Sequence, residues 1–397
     1  MVHNGARSAD VAVVGAGIVG AACTYYLAHA GATVQLFDRD FPASGTSGAC
    51  EGNVLLWDKD PSHDLPFAQH SLHLWRQLSQ ELDRDFELDP KGSILVAEDE
   101  AGLEGAAQSV RNLQAVGVRG AVLNAEELHV EEPALADDLP GGALFPDDVQ
   151  VEPRLATVAL VEGAQRHGAE IRLGAPVVAI LRGADGRVQA IQTPTEKIAV
   201  GAVVLAAGVW TREIAASTGI DVPVFPRKGH IVVTEKSSGL FRRKLMEAAY
   251  TATVQSSQDH LQVAMVAEST RSGSLLLGSS RELGGYERTV SMRTISAIVA
   301  RALRFFPGLE MVRWVRSYAG LRPYSPDHLP LIGPMRGAPG LFLATGHEGA
   351  GVCLAPATGQ LIAHYFTGGL AHESAAIFGP DRFTGTTAGR GARPDVG

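Results

Sequence analysis

The stretch "DVAVVGAGIVGAACTYYLAHAGATVQLFD", Asp10 to Asp38, limits the fold more than any other part of the chain. "VAVVG" is a short β-branched run, as expected of a strand buried in a parallel sheet. Gly15, Gly17 and Gly20 come next at GxGxxG spacing. Helix-forming sequence then runs to a stop at Gly31, and a second strand, "TVQLFD", ends on Asp38, 18 residues after Gly20. Gly15 permits a tight turn, Gly17 lets the backbone approach a pyrophosphate, and Gly20 lets helix and strand pack closely. The helix start offers free N–H groups and partial positive charge to phosphate. Asp38 can accept hydrogen bonds from both ribose hydroxyls and would repel a 2′-phosphate. Strand, glycines, helix, strand and acid in this order predict an adenine dinucleotide other than NADP. The bland alternative is an ordinary glycine-rich turn.

The next loop separates NAD from FAD. "ASGTSGACEGNV", Ala43 to Val54, is rich in small residues and hydroxyls. Such a loop can lie against a diphosphate and admit a flat ring, where an NAD protein would continue its βαβ alternation. Downstream, "VVLAAGVW", Val203 to Trp210, reads as a buried strand running into a glycine turn. "GLFLATGHEGAGVCLAPATGQLIAHYF", Gly340 to Phe366, reads as a strand, a glycine-rich turn and an amphipathic helix, with Gly346, Gly349 and Gly351 crowding the helix start. A second helix N-terminus is thus aimed at a ligand. For a flavin, the N1–C2=O edge, which becomes negative on reduction, suits it. FAD is the expected cofactor.

Gross properties narrow the class. With 397 residues the chain exceeds the size at which single cores stop growing, so two domains are expected. Net charge is −9 with no long basic run, which argues against a nucleic-acid partner. Cys23, Cys50 and Cys353 form no CxxC pair, which argues against a disulfide framework or a metal site and fits a reducing, cytoplasmic compartment. "MVHNGARSAD" has no apolar h-region, so no signal peptide is expected. The apolar run "AVGAVVLAAGVW" falls short of the roughly 20 residues of a transmembrane segment. "TGTTAGRGARPDVG" at the C-terminus reads as disordered.

The motifs "VVGAGIVG", "SGTSGACEGN", "VVLAAGVW", "PRKGH", "LLLGSSRE", "AGLRPYSPDHLPLIG" and "GHEGAGVCLAPATG", in that order, resemble the D-amino-acid oxidase type of FAD-dependent oxidoreductase, with its glycine and sarcosine oxidases. "GSSRE" and "GHEGAGVCLAPATG" are closest to the β subunits of opine and D-hydroxyproline dehydrogenases and of hydrogen cyanide synthase. The resemblance spans roughly residues 9 to 370. It implies an α/β fold, with a FAD-binding Rossmann-like domain and a substrate domain on a mixed, largely antiparallel sheet. The FAD domain would take residues 1–85, 150–220 and 325–375, the substrate domain 86–149 and 221–324, and a flexible tail 376–397.

The resemblance also implies roles. Gly15, Ala16, Gly17, Ile18 and Gly20 would contact the pyrophosphate, and Asp38 and Arg39 would flank the adenosine ribose. Thr46 and Ser47 would touch phosphate. Gly52, Asn53 and Val54 would face the flavin ring, and the backbone of Val177 would read adenine. Ala207 and Gly208 belong to the same cofactor set, and Gly346, Gly349, Gly351 and Val352 would hold the pyrimidine end. No cysteine lies near "LRPYSPD", so FAD is expected to be non-covalent.

The implied reaction oxidises the C–N bond of a D-amino acid, hydroxyproline, opine, glycine or sarcosine to an imine by hydride transfer to flavin N5. Arg322, in "GLRP", would clamp the substrate carboxylate. His347 and Glu348 stand where glycine oxidases tend to carry a second arginine, which points to a different or larger substrate. His347 is read either as a substrate or flavin contact or as a histidine packed beside a turn. Arg281 either pairs with Glu282 or meets a second substrate carboxylate. His230 is read as lining the cavity or as structural, Tyr250 and Tyr324 as candidate pocket walls, and Trp57 as a roof or a buried aromatic. An α subunit and a small iron–sulfur protein are the implied partners, with a dehydrogenase favoured over an oxidase. Peripheral membrane association would follow if it feeds a respiratory chain. The alternative is a flavin subunit that relays electrons or assembles a complex without chemistry of its own.

Overall fold

Two eight-stranded sheets carry the chain. The computed structural model describes residues 9–237, 239–250, 261–369 and 373–383. In the first sheet β1 (Ala9–Val14) has parallel neighbours on both sides. On one side lie β2 (Val34–Phe37) and β8 (Glu170–Arg172). On the other lie β11 (Lys197–Leu205) and β18 (Leu341–Thr345), with β17 (Leu331–Pro334) antiparallel at the edge. β9 (Ala179–Arg182) and β10 (Val188–Gln192) extend β11 as an antiparallel ribbon. Val11, Val13, Leu36, Val203 and Leu205 are fully buried, which is why these strands read as unbroken apolar runs. The chain builds outward from β1 to β8, then returns to the other side of β1 at β11. The carboxyl ends of β1 and β11 therefore flank a switch-point crevice. Ala206 N–H donates to the Val14 carbonyl at 2.9 Å and locks those two ends together.

Helix α1 (Ile18–His29) covers this sheet between α5 (Pro153–Arg166) and α8 (Gly351–Thr367). The helix expected to be amphipathic, α8, is instead buried from Val352 to Ala363 apart from Gln360, because α1 and α2 (Leu65–Glu81) flank it. Pro356 sits inside α8 and has no N–H for the Val352 carbonyl. The Trp75 indole of α2 donates to that oxygen at 3.0 Å. The Ser71 hydroxyl donates to the Cys353 carbonyl at 2.6 Å and accepts from Ala357 N–H at 3.3 Å. The start of α8 is thus pinned by α2.

The second sheet runs β16 (Trp314–Tyr324), β12 (Phe225–Lys236), β15 (Ser274–Leu283), β14 (Gln262–Ser269), β13 (Lys244–Glu247), β4 (Ser93–Ala97), β6 (Gly141–Phe145), β5 (Ala121–Asn124). Every pair is antiparallel except β13 with β4. Helix α7 (Met292–Phe305) lays Ile295, Ile298, Ala302 and Phe305 on it, and Pro307 begins the turn beyond. The strands of the first sheet lie within 1–85, 150–220 and 325–375, and those of the second within 86–149 and 221–324. The short pair β3 (Asn53–Val54) and β7 (Val149–Gln150) forms a separate two-stranded sheet that joins the two ranges. The largest apolar cluster ignores the division: Val11 and Leu36 share it with Leu95, Met246 and Val266.

His230 lies in the middle of β12. One expectation changes. Of the tail, residues 376–383 are packed, not free. Phe378 is fully buried, 4.9 Å from the Phe67 ring, and the Arg382 guanidinium pairs with Asp327 at 2.6 Å. Residues 384–397 lie outside the described residues.

Candidate active site

The turn after β1 fixes the first half of the site. Gly15 has φ +109°, and a Cβ there would lie 2.5 Å from the Ala206 carbonyl oxygen. A Cβ on Gly20 would drive into the Gly15 carbonyl. Gly17 caps α1 with no side chain, and no acid occupies the first turn. The helix start is therefore left open to an anion. Ser47 Oγ accepts from Ile18 N–H at 2.9 Å, so its hydroxyl sits at that helix start. Thr46 turns away and donates to the Leu321 carbonyl at 2.5 Å, tying this loop to β16 beside Arg322. The Asp38 carboxylate accepts from Ala16 N–H at 2.6 Å and Asp40 N–H at 2.8 Å. It keeps lone pairs for a ribose. The Arg39 guanidinium stacks 3.9 Å from the Trp210 ring centroid.

A cavity of about 450 Å³ runs along these groups. Its walls include Gly15, Gly17, Ile18, Asp38, Arg39, Thr46, Ser47, Asn53, Val177, Ala207, Gly208, Gly349, Gly351 and Val352, together with Arg322, His347 and Glu348. The structure so brings most of the sequence-derived set onto one surface. Ala16, Gly20, Gly52, Val54 and Gly346 are not on the wall. Gly20 and Gly52 are glycines because backbone carbonyls press on them, and Val54 is fully buried in the core. Gly346, at φ +76°, turns the chain against Leu331. The cradle at Gly15 and Gly17, an open helix start, and a trough from Asp38 to Val352 fit FAD. The Cys50 thiol on the wall is pushed far above its ordinary value, first by burial and then by Glu51 and Glu268.

A second cavity of about 800 Å³ meets the first at Asn53, Tyr250, His347, Glu348 and Gly349. Arg322 lies on the first wall near this junction. Its Nη1 donates to the Ser280 carbonyl at 2.9 Å, and Gly229 on β12 leaves the space it fills. Desolvation holds the Arg322 value below normal, and Arg281 adds to the effect. Arg281 lines the second cavity, and its guanidinium donates to the Tyr250 hydroxyl at 2.8 Å. Glu282, the next residue on the strand, points the other way and pairs with Lys228 at 3.0 Å. Arg281 and Glu282 therefore do not pair.

The His347 ring is buried, and its Nε2 meets Thr358 Oγ1 at 3.0 Å. Burial lowers its pKa to about 3, so the imidazole is neutral at working pH. Glu348 adopts φ +47°. It accepts from Arg227 Nη1 at 2.6 Å, and its other oxygen meets His328 Nδ1 at 3.1 Å. Burial opposes its charge, but His328, Arg227 and Arg281 outweigh that and hold the carboxyl below the usual range. His230 is structural: Nδ1 meets Ser280 Oγ at 3.1 Å, and Nε2 accepts from Ser291 N–H at 3.2 Å. Tyr250 and Trp57 face the second cavity, whereas Tyr324 packs on Arg227 and His328. Sequence reasoning missed Arg227 and Glu51. The only available signal for Glu51 was a charged residue inside a loop of small ones.

A dinucleotide trough with a half-buried arginine on its wall, next to a second cavity, defines a flavoprotein oxidoreductase. The family model described as FAD dependent oxidoreductase matches residues 10–365, and the chain belongs to that family. It is an enzyme family acting on amino acids and amines, with FAD as cofactor. The hydrogen cyanide synthase subunit HcnC of Pseudomonas protegens is 28% identical over 89% of this chain and 91% of that protein. Glycine oxidase of Geobacillus kaustophilus is 29% identical over 89% and 92%. The solved structure of the Geobacillus kaustophilus glycine oxidase covers 95% of this chain and 100% of its own, at 27% identity and TM-score 0.85. L-proline dehydrogenase from P. horikoshii shares the fold, at TM-score 0.86 and 23% identity over 95% and 98% of the two chains. Among the described residues no helix is long and apolar enough to cross a membrane.

Proposed function

We propose that the protein oxidises the C–N bond of an amino acid or secondary amine to an imine, which water then hydrolyses. The position of Arg322 carries this reading. It is a cation in the FAD cavity wall, beside the junction with a second cavity. A guanidinium there can take a carboxylate through two parallel hydrogen bonds. Bound FAD would supply the electron acceptor. The residues of the chain bind the carboxylate, orient the Cα–H bond and exclude water. Neutral His347 would add no charge to the cavity wall that holds the cofactor.

The size of the second cavity and the direction of Arg281 favour a substrate larger than glycine, such as an opine with a second carboxylate, a hydroxyproline or another D-amino acid. The likeness to a synthase subunit supports electron transfer to partner subunits, an α subunit and an iron–sulfur protein, in the cytoplasm or at a membrane surface. Arg322→Ala should cost about 2–4 kcal/mol in kcat/KM, and unchanged activity would remove Arg322 from the site. Oxygen consumption that kept pace with dye reduction would overturn the dehydrogenase preference.

A further inference from the structure

We propose that Glu51 holds the substrate's amino group and takes a proton from it; this rests on the amino-acid reading of the site. Glu51 comes after the turn Thr46–Gly48 and precedes β3. It is 8% exposed and lies on the wall of the FAD cavity. Its Oε1 is buried and makes no hydrogen bond among the described residues. That oxygen lies against Gly278 of β15, where a side chain would collide with it, so the second sheet leaves room for the carboxylate. A buried carboxylate oxygen without a donor is costly, and such an atom in a binding cavity calls for a donor from the ligand.

Other carboxylates of the two cavities and the adjoining loops already have donors: Glu152 accepts from Leu155 N–H at 2.7 Å and from Arg154 Nε at 2.9 Å. Glu348 is held by Arg227 and His328, and Glu268 by Lys244 at 2.6 Å. Asp148 accepts from Ser93 and from Leu56 N–H, and Asp38 from two backbone N–H groups. Glu51 also stands close enough to Arg322 for its charge to act on the guanidinium. An amino acid at neutral pH arrives as a zwitterion. Its carboxylate takes Arg322, and its ammonium N–H then meets Glu51 Oε1.

The chemistry needs this proton removed, because an ammonium has no lone pair to form the C=N bond. In the step one N–H bond breaks and one O–H bond forms at Oε1. Two opposite charges become two neutral groups, and no electrons change hands. The proton passes to water when product leaves. The titratable groups that feel the Glu51 charge directly are Cys50 in its own loop and Tyr318 and Arg322 on β16; Glu152 and Arg154 at the start of α5, Glu268 on β14, Tyr250, Arg281 on β15 and Glu348 act in turn on those three.

The test uses FAD-loaded wild type and Glu51→Gln, with methylammonium and acetate as inert probes read by flavin difference spectra. Methylammonium should bind wild type and weaken by about tenfold or more in Glu51→Gln, while acetate binds the variant at least as tightly. Equal methylammonium binding in both proteins, or none in wild type, would overturn the proposal. With an amino acid that reduces the flavin anaerobically, wild type should reach a plateau with rising pH. The variant's rate should climb about tenfold per pH unit toward the substrate's own ammonium pKa. A variant that kept the wild-type profile would also overturn it. If Glu51→Gln fails to retain FAD, Glu51→Asp and the wild-type methylammonium titration still decide. If no amino acid reduces wild type, the amino-acid reading falls, and the methylammonium arm reports on Glu51 separately.

Discussion

Gly229→Ala isolates Arg322 without touching its chemistry. Gly229 lies on β12 opposite Gly320, and Arg322 is two residues further along the partner strand on the same face. A methyl group at 229 would lie 2.6 Å from Arg322 Cζ and 2.7 Å from Nη2, and closer still to Nη1. Ordinary contact begins near 3.4 Å, so the guanidinium must retreat by about 1 Å and abandon its bond to the Ser280 carbonyl. A misplacement of about 1 Å can cost roughly 10²-fold in rate. Stability should hardly move. Replacing a strand glycine stabilises by about 0.4–1 kcal/mol through the unfolded chain, and the lost hydrogen bond costs about 1 kcal/mol. The assay pairs anaerobic flavin reduction with acetate binding and a thermal melt. The expected result is full FAD content, an unchanged Tm within a few degrees, about 10²-fold lower kcat/KM and weaker acetate binding. A variant within threefold of wild type in both kcat/KM and acetate affinity would refute the carboxylate clamp.

Gly15→Ala meets backbone at 2.5 Å in a left-handed conformation, so it should purify without FAD and melt well below wild type; yellow protein of normal Tm would contradict that. His347→Gln tests the buried neutral imidazole. The folded pKa is about 3, below the unfolded value near 6.5, so its share of stability is complete above 6.5 and is lost as pH falls toward 3, at about 1.4 kcal/mol per unit. Urea unfolding across pH should show that slope in wild type and not in the variant. Glu348→Gln leaves Arg227 buried without its counter-charge and should cost about 3–5 kcal/mol in denaturant unfolding. The depressed Glu348 value means that wild type holds this stability above pH ~4.3 and loses it in acid, whereas the variant lacks it throughout.

The cofactor half of the site was legible because local spacing dictates it. Gly15, Gly17, Gly20 and Asp38 belong to one βαβ unit, and Gly349 to Val352 to a single strand–helix turn. The substrate half was not, because it depends on register between distant strands. Whether Arg281 or Glu282 faces the cavity is decided by β12–β15 pairing, which shifts between Lys228 and Val232. Arg227 and Glu348 stand 121 residues apart, and neither residue announces the other. Gly52 and Val54 read as ring contacts in a loop of small residues and hydroxyls, yet the carbonyl of Val151 and the apolar core claim them. The polar face expected of α8 failed for a similar reason, since two other helices cover the surface that solvent would have taken.

Anaerobic bleaching of the bound flavin is the decisive experiment for amine oxidation by this chain. Purified yellow protein is mixed, without oxygen, with glycine, sarcosine, D-amino acids, prolines and opines in turn. Rapid loss of the flavin colour is expected with at least one of them, slowed about 10²-fold by Gly229→Ala. Protein that dithionite bleaches and none of these compounds does would contradict it, and would leave a flavin subunit that carries electrons without oxidising an amine itself.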